Sequence, residues 1–98
     1  MEIVINHKEY LEVILTGRLD TTTSVELDSK MKETEIKENL VVLDFTNLEY
    51  ISSAGLRVLL SLKKNLETNG KSLEIHNINE IVKEVFNVTG FINVLTIK

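Results

Sequence analysis

The segment Leu40–Phe45 constrains the fold more than any other part of the chain, because five of its six residues are apolar. A nearly unbroken apolar run of this length, rich in β-branched valine, is typical of a β-strand that is covered on both faces. A polar turn is predicted over Thr46–Glu49, and the chain then leads into the small polar segment Ser52–Gly55. The apolar run therefore predicts the central strand of a sheet on which other elements pack.

A strong helical pattern begins directly after Ser52–Gly55. Leu56, Leu59 and Leu60 follow i, i+3, i+4 spacing, which places them on one face of a helix. Asn69-Gly70 predicts the end of this helix, because glycine readily adopts the left-handed conformation that closes many helices. The pattern indicates a helix that docks on the sheet through one face.

Two further helices are predicted on either side of this unit. Thr23 and Glu26 have the spacing of a capping box, so a helix is expected from Ser24 to about Lys37. Its thin apolar stripe consists of Val25, Leu27 and Met31. The last helix is expected to start at Asn77 and to be closed by Gly90. Its apolar positions are Ile78, Ile81, Val82, Val85 and Phe86.

Alternating apolar residues mark the remaining strands. They predict an opening hairpin whose strands are joined by a turn at Asn6–Glu9 and which ends at Gly17. Two more strands are predicted around Leu73–Ile75 and over Ile92–Ile97. The predicted order is β-β-α-β-α-β-α-β. Strands that alternate with helices imply an α/β fold, here a mixed β-sheet with parallel pairs and with helices packed against it.

Composition narrows the classes of function. The formal net charge is −4 with no block of like charges, whereas nucleic-acid-binding chains usually have a basic face. There is no cysteine, no apolar run of membrane-spanning length, and Met1–Asn6 is too short and too acidic for a signal peptide. His7 and His76 lack a neighbouring cluster of metal ligands. We therefore expect a cytoplasmic protein without nucleic acid, membrane insertion, metal or cofactor.

Ser53 is the strongest candidate for a functional residue, because it lies at the predicted junction between strand and helix. Two interpretations of Ser52-Ser53 remain open: a hydroxyl that caps the helix, or an acceptor of phosphate. The partial positive charge and free N–H groups of a helix N-terminus tolerate a phosphate group. A hydrolytic serine is disfavoured, because the nucleophile elbow requires glycine two residues before and after it; Gly55 satisfies this requirement and Ile51 does not.

The run Asp44–Leu56 resembles the signature of the STAS domain family, and within it the bacterial anti-sigma factor antagonists. Upstream, Gly17–Asp20 resembles the G-x-[LI]-D turn that precedes the first helix of that family. Downstream, Asn69–Lys71 and Val85–Phe91 also match the usual course of the family. These separated motifs agree in order and spacing with the strands and helices read from periodicity. The chain is therefore identified as a single STAS domain over residues 1–98.

The resemblance implies a binding protein that is not an enzyme and has no catalytic residue. Such antagonists, when unphosphorylated, sequester a partner that is both anti-sigma factor and ATP-dependent serine kinase, and a sigma factor is thereby freed. The kinase phosphorylates the serine at the helix start and releases the antagonist, and a metal-dependent serine phosphatase resets it. The matching acceptor in this chain is Ser53. The residues expected to contact the partner are Asp20, Thr21, Ser52, Ser53, Ala54, Gly55 and Arg57.

Three positions qualify this resemblance. Asp20 and Asp44 match acidic positions near the acceptor in the family. The resemblance implies that they orient the hydroxyl or shape the docking face, although Asp44 equally suits a structural role at a strand end. Ser52 stands where many members have aspartate, which makes it the second choice as acceptor. An alternative function is a STAS regulatory subunit of a lipid or anion transport system, which uses the same fold. Ser53 favours the function of an anti-sigma factor antagonist over this alternative, but it does not exclude a transporter as partner.

Overall fold

Five strands and three α-helices alternate along the chain in the computed structural model, which describes residues 1–98. The strands are β1 (Glu2–His7), β2 (Leu11–Leu19), β3 (Leu40–Ile51), β4 (Ser72–His76) and β5 (Thr96–Ile97). The helices are α1 (Thr21–Glu33), α2 (Ser53–Thr68) and α3 (Glu80–Thr89), followed by a short 3-10 helix over Phe91–Asn93. None of the helices has the length and apolarity needed to cross a membrane. The predicted order of elements is confirmed.

The strands form one sheet in the order β1-β2-β3-β4-β5. The opening hairpin is antiparallel and the other three neighbouring pairs are parallel, so the predicted mixed sheet is confirmed. A helix joins each parallel pair, and such crossovers are almost always right-handed. Because the strand order advances in one direction throughout, all three helices lie on the same face of the sheet.

The core lies between this face and the helices. Alternate residues of β2 and β3, such as Val13, Leu43 and Phe45, are fully buried in one apolar cluster with residues of all three helices. The ring of Phe45 lies 6.5 Å from that of Phe86 on α3, measured between centroids. These contacts position each helix along the strands, and therefore also position the residue at which each helix begins.

The opposite face of the sheet carries no helix, yet the successive residues Val41, Val42 and Leu43 are all buried, so this part of Leu40–Phe45 is covered on both faces as expected. Val42 points to this face; it is only 4% exposed but lies outside the core cluster. Its partners in the strand register are Glu12 and Glu74, one on each neighbouring strand. The apolar run thus includes one valine that is buried on the face without a helix.

Helix α1 begins at Thr21, earlier than predicted and directly after the N-cap residue Asp20. The Asp20 Oδ1 atom accepts hydrogen bonds from the backbone N–H groups of Thr22 and Thr23, each at 3.0 Å. In return, the Thr23 hydroxyl accepts one from the Asp20 backbone N–H at 2.8 Å. The capping box is therefore Asp20 with Thr23, and the predicted pairing of Thr23 with Glu26 is wrong, because an aspartate already caps the first turn directly after β2.

Strand β3 continues through Thr46–Glu49, so the turn predicted there is wrong. Two register shifts along the β2–β3 pairing absorb the irregularity, and the backbone stays in the sheet with Leu48 buried. Helix α1 ends at Glu33, before the expected end near Lys37, and Val25 faces solvent rather than the core. The last predicted strand is reduced to the two residues of β5.

Helix α3 begins behind Asn79, which caps it by accepting a hydrogen bond from the Val82 backbone N–H at 2.8 Å. Its start is therefore later than the predicted one at Asn77. Ile81 is 61% exposed, because the stripe that reaches the core is centred on Val82 and Phe86. Gly90 closes the helix in the left-handed conformation, as predicted, with φ of 80°.

The cap of α1 makes stability depend on acid. Hydrogen bonds from Thr23 and Thr22 outweigh desolvation and hold the pKa of Asp20 below its usual value. As pH falls, Asp20 is therefore protonated in the unfolded chain before it is protonated in the folded one. The ionised carboxylate stabilises the folded state above pH about 4, and this stabilisation is lost as pH falls further. Asparagine caps helices about as well as aspartate but does not titrate. We expect the urea unfolding midpoint of Asp20→Asn to equal that of wild type at neutral pH. In acid, the midpoint of the variant is expected to fall less steeply than that of wild type.

Circular dichroism across a series of pH values measures this effect. Glu26→Gln removes an exposed carboxylate that lies outside the cap, and we expect it to follow the wild-type curve. An Asp20→Asn curve with the wild-type dependence on pH would show that the carboxylate charge does not contribute.

Candidate functional site

Strands β2 and β3 end side by side, and the helices that follow them begin together. Leu19 and Ile51 are the last paired residues of the two strands. One residue further, the backbone N–H of Ser52 donates a hydrogen bond to the carbonyl oxygen of Leu19 at 2.9 Å. Asp20 caps α1 and Ser52 caps α2 at this point. The positive ends of two helix dipoles therefore lie at one edge of the molecule.

The two serines at this edge have different surroundings. The Ser52 Oγ atom accepts a hydrogen bond from the Gly55 backbone N–H at 3.3 Å, which is the N-cap interaction of α2. Ser53 is the first residue of the helix, is exposed, and makes no side-chain hydrogen bond. Capping is thus performed by Ser52, and the hydroxyl of Ser53 is open to solvent.

Gly55 brings the first turn of α2 close to the sheet. A Cβ atom at this position would lie 2.8 Å from Ile51 Cγ1, 2.9 Å from Leu19 Cγ and 3.0 Å from the Leu19 carbonyl oxygen. Distances this short to carbon and to a backbone oxygen are not tolerated without movement. Gly55 therefore sets how close α2 lies to β2 and β3, and with it the position of Ser53.

Asp20 and Thr21 lie at the same edge, as the first residues after β2. All the side-chain hydrogen bonds that Asp20 accepts go to its Oδ1 atom, so the second carboxylate oxygen is free. Thr21 is exposed in the first turn of α1. The carboxylate therefore holds α1 in place and also adds a negative charge to the surface beside Ser53.

Asp44 lies elsewhere, seven residues before Ile51 on β3 and so about 20 Å away along the strand. Burial opposes its ionisation, but hydrogen bonds from the hydroxyl and backbone N–H of Thr46 and from Asn77 prevail and lower its pKa. The first two span 2.6 and 2.9 Å, and the third spans 3.1 Å. Asp44 therefore supports the irregular part of β3 and is not brought to Ser53.

The two arginines differ in their surroundings. Arg57 is exposed on α2 and makes no ion pair, while Ala54 beside Ser53 is half-buried. The guanidinium of Arg18 lies 4.4 Å from the centroid of the Tyr50 ring, a cation–π contact. Arg18 and Tyr50 were not predicted as site residues. Their contact follows from the β2–β3 register, which pairs them and which periodicity alone does not reveal.

Neither histidine contacts Ser53. His7 Nδ1 lies 2.8 Å from a carboxylate oxygen of Glu38, and His76 Nε2 lies 2.9 Å from one of Glu74. The structure also contains no group of three or more side chains that could hold a metal ion. Neither histidine is therefore placed to act as a general base for the Ser53 hydroxyl.

The larger of the two cavities lies away from this edge. Its volume is about 420 Å³ and it opens between α1 and α2, where Met31, Val58 and Leu62 line it. None of the predicted site residues lines it. The second cavity, lined by His7, Thr34, Glu35, Lys37 and Glu38, does not reach Ser53 either.

Comparisons with known proteins agree with this geometry. The family model described as STAS domain matches residues 3–98. A Bordetella bronchiseptica protein, BtrV, which carries the name of an anti-sigma factor antagonist, is 33% identical over 84 residues, which are 85% of this chain and 72% of that protein.

Among solved structures, a Thermotoga maritima protein named in the same way superposes with a TM-score of 0.88 at 16% identity, covering 97% of this chain and 84% of its own. SpoIIAA in its unphosphorylated form superposes with a TM-score of 0.82 at 18% identity, covering 99% and 88%. The phosphorylated form of this Bacillus cell fate determinant gives 0.69 at 16% identity, covering 99% and 91%. At these identities the solved structures establish the fold.

The close approach at Gly55 makes a substitution test possible. Glycine to alanine in a helix usually stabilises by up to about 1 kcal/mol, but here the added methyl group meets Leu19 and Ile51. We expect Gly55→Ala to destabilise by about 1–3 kcal/mol, as overpacking does. Urea unfolding measures the change.

Ser61→Ala on the exposed side of the same helix is the matched control, and we expect it to be neutral or slightly stabilising. Equal stability of both variants would mean that the contact of α2 with the strand ends is not tight.

Proposed function

This chain belongs to the STAS domain family, and we propose that it is an anti-sigma factor antagonist whose binding is switched off by phosphorylation of Ser53. The unphosphorylated form binds a partner that is both anti-sigma factor and serine kinase, and so releases a sigma factor. It is a binding protein and not an enzyme. The observation that carries the proposal is the exposed hydroxyl of Ser53, free of hydrogen bonds at the start of α2.

The division of roles between the serines supports Ser53 rather than Ser52 as the acceptor. The Ser52 hydroxyl is occupied by the Gly55 N–H, and its backbone N–H is bonded to Leu19. Phosphorylation of Ser52 would change the hydroxyl that accepts this hydrogen bond, and an N-cap of this kind typically stabilises a protein by about 1 kcal/mol. Phosphorylation of Ser53 removes no hydrogen bond.

The chemistry of the proposed step needs no group of this chain beyond the hydroxyl. The Ser53 oxygen attacks the γ-phosphorus of ATP held by the kinase, the bond to the ADP oxygen breaks, and the serine proton passes to a base of the kinase. A serine phosphatase returns the hydroxyl by transferring the phosphate to water. Both partners must therefore reach the edge formed by the starts of α1 and α2.

The phosphate acts on docking and not on the fold. It adds about −1.5 to −2 charges at pH 7 at the N-terminus of a helix, where the dipole favours negative charge. The helix is therefore retained. The new charge and bulk instead oppose a partner surface that fits the neutral serine, and Asp20 at the same edge adds to the repulsion of acidic groups.

Substitutions of Ser53 test the proposal with the serine kinase encoded in the same genome. With the kinase and ATP, Ser53→Ala is expected to lose most phosphate incorporation, as read by intact-mass spectrometry. Ser53→Asp is expected to weaken binding to the kinase by at least about tenfold in titration calorimetry, which corresponds to about 1.4 kcal/mol. Its far-ultraviolet circular dichroism is expected to stay unchanged.

The matched control is Ser61→Asp, which puts the same charge on the exposed side of α2 two turns further on. We expect it to bind like wild type. Phosphate mapped to another residue would refute the site. Capture of transporter subunits by the wild-type chain, in place of a kinase, would favour the regulatory role in transport.

A further inference from the structure

The chain contains only two arginines, although it has eleven basic residues and a net charge of −4. Both arginines lie near the edge where α1 and α2 begin. Arg18 is near the end of β2, stacked on Tyr50, and Arg57 is in the second turn of α2. Guanidinium groups bind phosphate through two parallel hydrogen bonds, which ammonium groups do not.

Arg57 and Ser53 are four residues apart on the same helix. Residues with this spacing are neighbours, with Cβ atoms about 5–6 Å apart. Side chains on a helix also lean towards its N-terminus, so Arg57 leans towards Ser53. Both are exposed, and neither is engaged in an ion pair.

We infer that Arg57 binds the phosphate of phosphorylated Ser53 within the same helix, and that the phosphate thereby removes Arg57 from the surface offered to the partner. This inference rests on the proposed phosphorylation of Ser53. It identifies a phosphoserine-binding residue inside the switch itself. The two side chains form a closed pair in the phosphorylated state and are both free in the unphosphorylated state.

Arg18 does not compete for this position. The residues between Ser53 and Arg57 are uncharged, and Arg18 is held on the ring of Tyr50. Tyr50 and Arg18 alternate with Ile51 and Leu19, which face the core, so their side chains project from the opposite face of the sheet. Arg57 is the one guanidinium on the same helix face as the acceptor.

The pairing changes what the partner meets. The unphosphorylated edge presents a free arginine, suited to an acidic group of the partner. After phosphorylation, the same edge presents an anion whose nearest cation is already engaged. The switch therefore withdraws a favourable contact while it adds an unfavourable one, which sharpens the difference in affinity between the two states.

The test uses the full chain with phosphoserine introduced at position 53 during translation, so that no kinase is needed. Phosphorus NMR measures the second pKa of the phosphate, which is about 6 in isolation. We expect Arg57→Gln to raise this pKa by about 0.3 units or more, and Arg57→Lys to raise it less. Lys64→Gln is the matched control. It removes a cation on the same face of α2, about 16 Å from Ser53 along the helix axis and beyond the screening length of about 10 Å at 0.1 M salt.

Equal phosphate pKa values in Arg57→Gln and Lys64→Gln would overturn the inference, whatever the fate of the proposed function. A raised value only in Arg57→Gln supports the pairing even if the kinase proves to phosphorylate another residue. The partner-binding consequence is read separately from the unphosphorylated chain. In that form, we expect Arg57→Gln to weaken kinase binding several-fold and Lys64→Gln to leave it unchanged. Equal affinities of the two variants for the kinase would refute the inferred contact of Arg57 with the partner.

Discussion

The site depends on the close contact between the first turn of α2 and the ends of β2 and β3. The Ser52 N–H bonds to the Leu19 carbonyl, and Gly55 leaves no room for a side chain against Leu19 and Ile51. This contact joins the helix to the sheet at its first residues, while Leu59 and Leu66 pack further along the helix into the same core. Because both α1 and α2 start there, the contact also aligns two helix N-termini at one edge.

A rigid helix start suits a switch that leaves the fold unchanged. Ser52 supplies the cap, so the Ser53 hydroxyl is not needed for it. The proposed phosphate would then alter charge at a surface whose backbone is held close to the sheet. The proposed pairing of this phosphate with Arg57 lies within one helix, so it needs no change of the backbone.

Periodicity was sufficient to predict the order of elements, the mixed sheet and most buried positions. Leu73 and Ile75 alternate, and Leu56 and Leu59 repeat at helical spacing, because one face of each element must be apolar. The start of α1 was mispredicted because Asp20 and Thr23 are both competent caps. Only the end of β2 decides between them. The turn at Thr46–Glu49 was mispredicted because polar residues are typical both of turns and of irregular positions in a strand, where the register shifts.

The sequence by itself determined that this is an α/β domain with serines at a strand-to-helix junction and with the motifs of its family. Such features are local, or repeat along one element, and a linear pattern records them. Only the tertiary structure decided which serine caps α2, that Asp44 lies far from the site, and that Arg18 stacks on Tyr50. These depend on strand register and on where each helix first meets the sheet. Both are set by packing between residues that are distant in the chain.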